Sequence, residues 1–401
     1  MKKNKNNNSN FPTLRFPEFS GEWKTVLGNE LFKPISNKKH NSDLPIVAVT
    51  QTKGVALRDE IDFKISVSEK SISTYKIVEA GDFVISLRSF QGGIEYSEVT
   101  GICSPAYTIL KPTQPIVDRF YKSYLKQSRY IAKLNERLEG IRDGKNISFE
   151  NFSIIPLPYP SLEEQEKIAN FLSLIDERIA TQNKIIEEYK KLKNALAESL
   201  LYPNEGKTPL KFSKFNDKWE LHFLKDVVVN FSRRNKLHIQ YPMYSVTNDL
   251  GFVPQSEKFE ERTMMGEDIS SYKVINKGDF AYNPARINVG SIAKYEGDEP
   301  CMISSLYVCF RPEYNISSEW LQHLLKSQRM IYNYNLFGEG GVRIYLFFPN
   351  FGRIKINIPP LEEQKKIATA ISVLDEKISI ESLILDKLST QKSFLLTKMF
   401  I

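Results

Sequence analysis

Two acidic pairs invite a chemical reading. Glu163–Glu164 lies in "YPSLEEQEKIA" (159–169), and Glu362–Glu363 lies in "IPPLEEQKKIA" (358–368). Carboxylates that converge on one atom can divide general acid and base work between them. Neighbours at a helix start point about 100° apart, so neither pair can meet on one substrate atom, and both read as helix-start residues. Other catalytic arrangements are missing. The chain has no GxxxxGK[ST] phosphate loop, no GxGxxG after a strand and no GxSxG. "NIPPLEE" (357–363) has the two prolines of a base-holding [DNS]PP[YFW] tetrad but lacks its aromatic. Cys103, Cys301 and Cys309 form no CxxC, and the four histidines form no HExxH. Catalytic, cofactor-binding and metal-binding residues are therefore all expected to be none.

The acidic pairs are instead one mark of a duplication. Leu162, Glu163, Glu164, Gln165, Lys167, Ile168 and Ala169 recur at an offset of 199. The match extends in both directions. "LRFPEFSGEW" pairs with "LKFSKFNDKW", "GDFVIS" (81–86) with "GDFAYN" (278–283), "SPAYTILKP" with "SSLYVCFRP", and "ENFSIIPLP" with "PNFGRIKIN", all at offsets of 196–200. Collinear matches with small shifts describe one unit of about 200 residues written twice, far longer than a solenoid period.

Each LEEQ segment opens a long helix. Ile168, Leu172, Ile175, Ile179, Ile186, Tyr189 and Leu196 follow a heptad seam, and so do Ile367, Ile371, Leu374, Ile378, Leu385, Leu388 and Leu395. Both seams are interrupted at the same places, Gln182 with Lys193 and Glu381 with Lys392. Polar residues at such positions set register or partner choice. Ser161 and Glu164 predict a capping box, whereas the second copy has Pro360 in place of Ser161. A seam this long needs cover, and the simplest partner for each helix is the other.

The blocks before the helices read as strands and turns: "PIVAVT", "GDFVISL", "PAYTIL" and "SIIPLP" are short β-rich runs. Helices are expected within 117–138 and 317–335. The predicted fold class is α+β, two tandem repeats, each a globular α+β domain followed by a long helix. The expected divisions are a disordered tail 1–10, a first domain 11–158, a helix 161–201, a linker 202–208, a second domain 209–358 and a helix 360–400. Trp23, Trp219, Phe83, Phe280, Tyr107 and Tyr307 are expected in the domain cores.

The net charge is +7, and the LEEQ segments are net acidic or neutral, so the basic excess lies in the two globular blocks. That permits a nucleic-acid partner. No run of 18 apolar residues exists, so no membrane span is expected. Three cysteines without a framework suit the reducing cytoplasm.

Two differing blocks separated by near-identical helices with "PxLEEQxKIA" starts resemble the specificity subunit of type I restriction–modification enzymes, and the resemblance covers nearly the whole chain. It implies that each block is a target-recognition domain reading one half of a split double-stranded DNA sequence. It also implies that the helices form an antiparallel coiled coil, which fixes the separation and docks two modification (methyltransferase) subunits. S-adenosylmethionine chemistry would then sit on those partners. ATP and Mg would serve the restriction (motor-nuclease) subunits, with no cofactor in this chain. Two readings compete with it: a scaffold binding proteins or glycans through two β-rich domains, and a self-sufficient enzyme, which the missing motifs oppose.

Base reading needs Arg, Lys, Asn or Gln on loops, with Gly where a backbone must come close. Candidates in the first domain are Thr50, Gln51, Lys53, Arg88, Ser89, Gln91, Gly92, Arg142, Lys145 and Asn146. Those in the second are Thr247, Asn248, Arg286, Asn288, Arg343 and Tyr345, with Arg233 and Arg234 as phosphate holders. They fall in corresponding loops: after the VT strand, after the GDF strand, and in "EGIRDGKN" against "EGGVRIYL". The plain alternative for each is a solvated loop residue.

Overall fold

The computed structural model describes residues 10–41, 43–51, 53–61, 72–136, 147–202, 212, 214–215, 218–255, 269–341 and 343–401. The chain divides into two compact units, residues 1–183 with 383–401 and residues 184–382.

The first unit holds β1 (Lys24–Leu27), β2 (Phe32–Ile35), β3 (Val47–Thr50), β4 (Gly54–Leu57), β5 (Lys76–Val78), β6 (Phe83–Ile85), β7 (Glu95–Tyr96), β8 (Gly101–Cys103), β9 (Thr108–Pro112) and β10 (Pro156–Tyr159). An antiparallel sheet runs β2-β9-β6-β7, flanked by the pairs β1-β10, β3-β4 and β5-β8. Side chains on a strand alternate between its faces. Phe83, Ile85 and Leu110 therefore enter one core with Phe32, Phe120, Tyr121 and Phe152. Val84 and Ile109 face the other way, against Val47, Val55, Val78 and Cys103. A sheet covered on both faces needs unbroken apolar strands, and β6 is buried throughout. Helices α1 (Asp118–Tyr124) and α2 (Ser128–Asn135) follow. The long helix α3 (Leu162–Leu201) then starts in this unit and continues into the second.

The second unit repeats the plan. Its strands are β11 (Glu220–Phe223), β12 (Val228–Phe231), β13 (Tyr244–Val246), β14 (Phe252–Pro254), β15 (Lys273–Ile275), β16 (Phe280–Tyr282), β17 (Ile292–Lys294), β18 (Cys301–Ile303), β19 (Val308–Pro312) and β20 (Lys355–Ile358). The sheet runs β12-β19-β16-β17, with pairs β11-β20, β13-β14 and β15-β18. Helices α4 (Ser318–Leu325), α5 (Gln328–Phe337) and α6 (Leu361–Lys398) follow. Phe280, Tyr282 and Phe310 enter one core with Trp320, Tyr334 and Phe351, while Ala281 and Cys309 face the other.

The repeated GDF now has a physical account. Gly81 and Gly278 hold φ of +99° and +86°, a backbone that favours glycine. The Asp82 carboxylate accepts the Glu79 N–H at 2.8 Å, and Asp279 accepts that of Asn276 at 3.0 Å. Phe83 and Phe280 are fully buried.

Parts of both long helices pack inside each unit. In the first, Ile168 and Leu172 share a core with Leu395, Met399 and Phe400. In the second, Leu200 and Leu201 share one with Ile367 and Ile371. Lys377 lies 5.8 Å over the Tyr189 ring, and Lys193 pairs with Asp375. One helix advances from 189 to 193 while its partner steps back from 377 to 375, so the pairing is antiparallel. Every predicted seam residue is buried or half-buried. The seam polar residues Gln182 and Glu381 are each 8% exposed. Lys193 and Lys392 are met by carboxylates, Asp375 in the second unit and Asp176 in the first. These pairs are copies of each other at offset 199 with the helices exchanged.

The LEEQ motif fastens each helix start to its domain. Gln165 Oε1 accepts the Val117 N–H at 2.9 Å, while its amide donates to the Pro160 carbonyl at 3.0 Å. Gln364 accepts from Ser317 N at 2.8 Å and donates to the Pro359 carbonyl at 2.9 Å. The predicted capping box forms only in half. Ser161 Oγ accepts the Glu164 N–H at 3.2 Å. The Glu164 carboxylate does not reach back, because Arg15 takes it through Nε at 2.7 Å and a terminal nitrogen at 2.8 Å. In the second copy Glu363 accepts the Trp219 ring N–H at 3.0 Å. Both second glutamates are at most 2% exposed, so this position is an internal anchor rather than a surface carboxylate.

Candidate nucleic-acid interface

In the first unit the β3–β4 hairpin tip is closed by Thr50, whose hydroxyl accepts the Lys53 N–H at 3.0 Å and donates to the Gly54 carbonyl at 3.3 Å. That holds Gln51 and Lys53 outward, both exposed. The loop after β6 forms one helical turn, Ser89–Gly92. Ser89 is 1% exposed, and its Oγ accepts the Ser86 N–H at 2.8 Å, so it builds the turn. Arg88 and Gln91 are exposed on that turn. The two loops meet where Gln51 Nε2 donates to Gln91 Oε1 at 3.0 Å. A β-carbon at Gly92 would stand 2.8 Å from Gln51 Cγ, so any larger residue there would displace the Gln51 side chain. Beneath them Lys126 pairs with buried Glu95 and reaches the Gln51 carbonyl at 3.5 Å. Burial raises the Glu95 carboxyl above its ordinary value, and Lys126 opposes the rise.

The second unit uses the same scaffold with other residues. Thr247 Oγ1 donates to the Gly251 carbonyl and accepts the Leu250 N–H, both at 3.1 Å, leaving Asn248 exposed at the tip. After β16 the chain makes a short turn, Ile287–Val289, with Arg286 exposed before it. Asn288 Nδ2 donates to Asn335 Oδ1 on α5 at 3.4 Å. Tyr345 stacks on Phe347 with centroids 6.2 Å apart and planes 9° from parallel. Its backbone exchanges two 2.8 Å bonds with Glu339, and Arg343 in the same loop is exposed.

Arg233 and Arg234 part company. Arg233 stacks 5.3 Å over Phe231 and sits 3.5 Å from Asp279, and Arg311 adds a second guanidinium on the same ring and the same carboxylate. Arg233 thus faces an internal partner, whereas Arg234 is exposed. Arg142, Lys145 and Asn146 lie outside the described residues.

Sequence reading missed Lys126 and Asn335, which touch the candidate loops from the turn between α1 and α2 and from α5. It also missed exposed Tyr332, Leu336, Val289 and Phe347. The signal for the α5 residues was helical spacing, since 332, 335 and 336 fall on one face. Among the described residues no group of three His, Cys, Asp or Glu could hold a metal. Burial pushes the Cys103 thiol up to about 11 and the Cys301 and Cys309 thiols to about 12, so none is an activated nucleophile. No helix among the described residues is long and apolar enough to cross a membrane.

Known proteins share this layout. Over residues 21–191 and again over 216–390 the chain matches the type I restriction modification DNA specificity domain. It is 27% identical over 395 residues to the type I restriction enzyme MjaVIII specificity subunit of Methanocaldococcus jannaschii, covering 92% of this chain and 89% of that protein. The fold resembles that of a type I restriction–modification S subunit from M. genitalium, with TM-score 0.56, 18% identity, and 98% and 99% of the two chains covered. A chain solved in work on assembly and conformational transition of the type I R-M system gives TM-score 0.57 at 16% identity, over 94% and 97%. Two matches that together span most of the sequence show that the chain belongs to the type I restriction modification DNA specificity family.

Proposed function

We propose that this chain is the DNA sequence-recognition subunit of a type I restriction–modification complex. Each globular domain (11–158 and 209–358) reads one half of a bipartite, asymmetric target in double-stranded DNA. One observation carries the reading most strongly. The two units share topology, the GDF turn and the LEEQ anchor, yet differ at equivalent loop tips, where Gln51 and Gln91 stand against Asn248 and Asn288. A duplicated scaffold with diverged tips suits two readers of different half-sites, and a protein- or glycan-binding scaffold gives no reason for that divergence.

The helices 161–201 and 360–400 act as the spacer and dock two modification subunits, with restriction subunits completing the assembly in the cytoplasm. S-adenosylmethionine, ATP and Mg act on those partners, and this chain contributes recognition alone. The DNA candidates supply phosphate and base contacts of the usual kinds. Mapping methylated adenines in a genome carrying this chain with its modification subunit tests the reading. A split, asymmetric motif is expected. Sequence-independent methylation, or binding of duplex libraries that ignores both salt and sequence, would sink it. Methyl transfer by the purified chain alone would overturn its non-catalytic role.

A further inference from the structure

The hydrogen bond between Gln51 and Gln91 leaves a defined set of groups unused. A side-chain amide has one carbonyl and two N–H groups. The donor of the pair commits one N–H and keeps its own carbonyl and its second N–H. The acceptor commits its carbonyl. This holds whichever of the two amides donates, so exchanging O and N in both leaves the outcome unchanged. Where the donor commits the N–H that points away from its own carbonyl, it presents an acceptor and a donor side by side, and the other amide holds it still.

Among the four bases in the major groove, adenine alone offers an acceptor (N7) beside a donor (N6–H) on one base edge. Guanine shows two acceptors there, cytosine one donor and thymine one acceptor. Resting on the DNA-reading function proposed above, we infer that the Gln51–Gln91 pair reads one adenine in the half-site taken by the first domain. One amide is the reader and the other a positioning residue.

The pair is prepared before any DNA arrives. Gln51 lies against the Gly92 backbone, its hairpin is closed by Thr50, and its backbone carbonyl lies within reach of Lys126. The turn bearing Gln91 is held by buried Ser89. A held amide loses less freedom on binding than two free glutamine side chains would. In the second unit the equivalent Asn288 bonds to Asn335 of α5 and not to Asn248, so the pairing between the two loop tips belongs to the first unit.

The test is a selection of duplexes from a random library by the full chain assembled with its modification subunits, comparing Gln51→Ala and Gln91→Ala with the unaltered protein. Both variants should lose discrimination at the same single A·T position by about tenfold or more, the scale of one bidentate base contact. The second half-site should keep its motif and so report intact folding. An unchanged motif in both variants overturns the inference and leaves the DNA-reading function standing. So does relaxation at a G·C pair, at several positions, or across the whole motif. An unaltered complex that enriches no sequence would remove both.

Discussion

The Gln165 side-chain carbonyl accepts the Val117 backbone N–H at 2.9 Å, and Gln364 does the same for Ser317 at 2.8 Å. Each bond ties the first turn of a long helix to the start of α1 or α4, beside the anchor made by Glu164 or Glu363. Replacing Gln165 with Leu leaves a backbone donor without its acceptor, which costs about 1–3 kcal/mol. Gln364→Leu should cost a similar amount. Because the two sites lie in different units, the double variant should show the two losses added. Urea unfolding checks this. A loss below about 0.3 kcal/mol for either variant would contradict the anchoring role, since well-separated sites add only to within about that margin.

The Lys193–Asp375 and Lys392–Asp176 pairs favour antiparallel pairing. In a parallel, in-register pairing, equivalent residues of the repeat would face each other, setting Lys193 against Lys392 and Asp176 against Asp375. The observed pairs are partly exposed, so each should stabilise by no more than about 1 kcal/mol. Lys193→Asp places two like charges together and should destabilise the second unit. Adding Asp375→Lys should restore it. The double-mutant cycle is expected to return a coupling of about 0.5–1 kcal/mol, and a coupling of zero would show the pair to be incidental.

Asp82 makes the first unit sensitive to pH. Burial lifts its carboxyl to about 6, although the Glu79 N–H and Lys111 pull the other way. A raised pKa means that the folded chain holds the proton more tightly than the unfolded chain. The stability so contributed is complete below the ordinary value of 3.8 and is lost as pH rises through about 6. Asp82→Asn keeps an acceptor for the Glu79 N–H and removes the titration. Urea midpoints between pH 4 and 7 should therefore fall less with rising pH in the variant than in the unaltered chain. Identical slopes would mean that Asp82 does not titrate in this range.

Repetition made the architecture readable. Heptad spacing located both helices, and collinear matches located both domains, because apolar periodicity reports burial directly. The role of Glu164 was not readable. Its spacing from Ser161 fits a capping box, but Arg15, 149 positions away, competes for the same carboxylate, and a local pattern cannot register such a partner. The candidate loops were legible as clusters, since Gln51 and Gln91 do meet. The hydroxyls of Thr50, Thr247 and Ser89 close turns, a use that residue type alone does not separate from base contact. Arg233 is half-exposed and engaged by Phe231 and Asp279, partners that its charge alone does not reveal.

If the helices set the gap between half-sites, lengthening them must change the target. One heptad added at the same level in both, after Asn183 and after Ser382, keeps the seam in phase and adds about 10.5 Å at 1.5 Å per residue. With base pairs rising about 3.4 Å each, the unread gap should grow by up to about three, while both half-sites stay the same. Inserting in one helix alone shifts every seam residue beyond the insertion against its partner, so that variant should lose stability. Mapping methylated sites after the paired insertion distinguishes the outcomes. A longer gap with unchanged half-sites supports the helices as spacer, and an unchanged gap would show that something else fixes the distance.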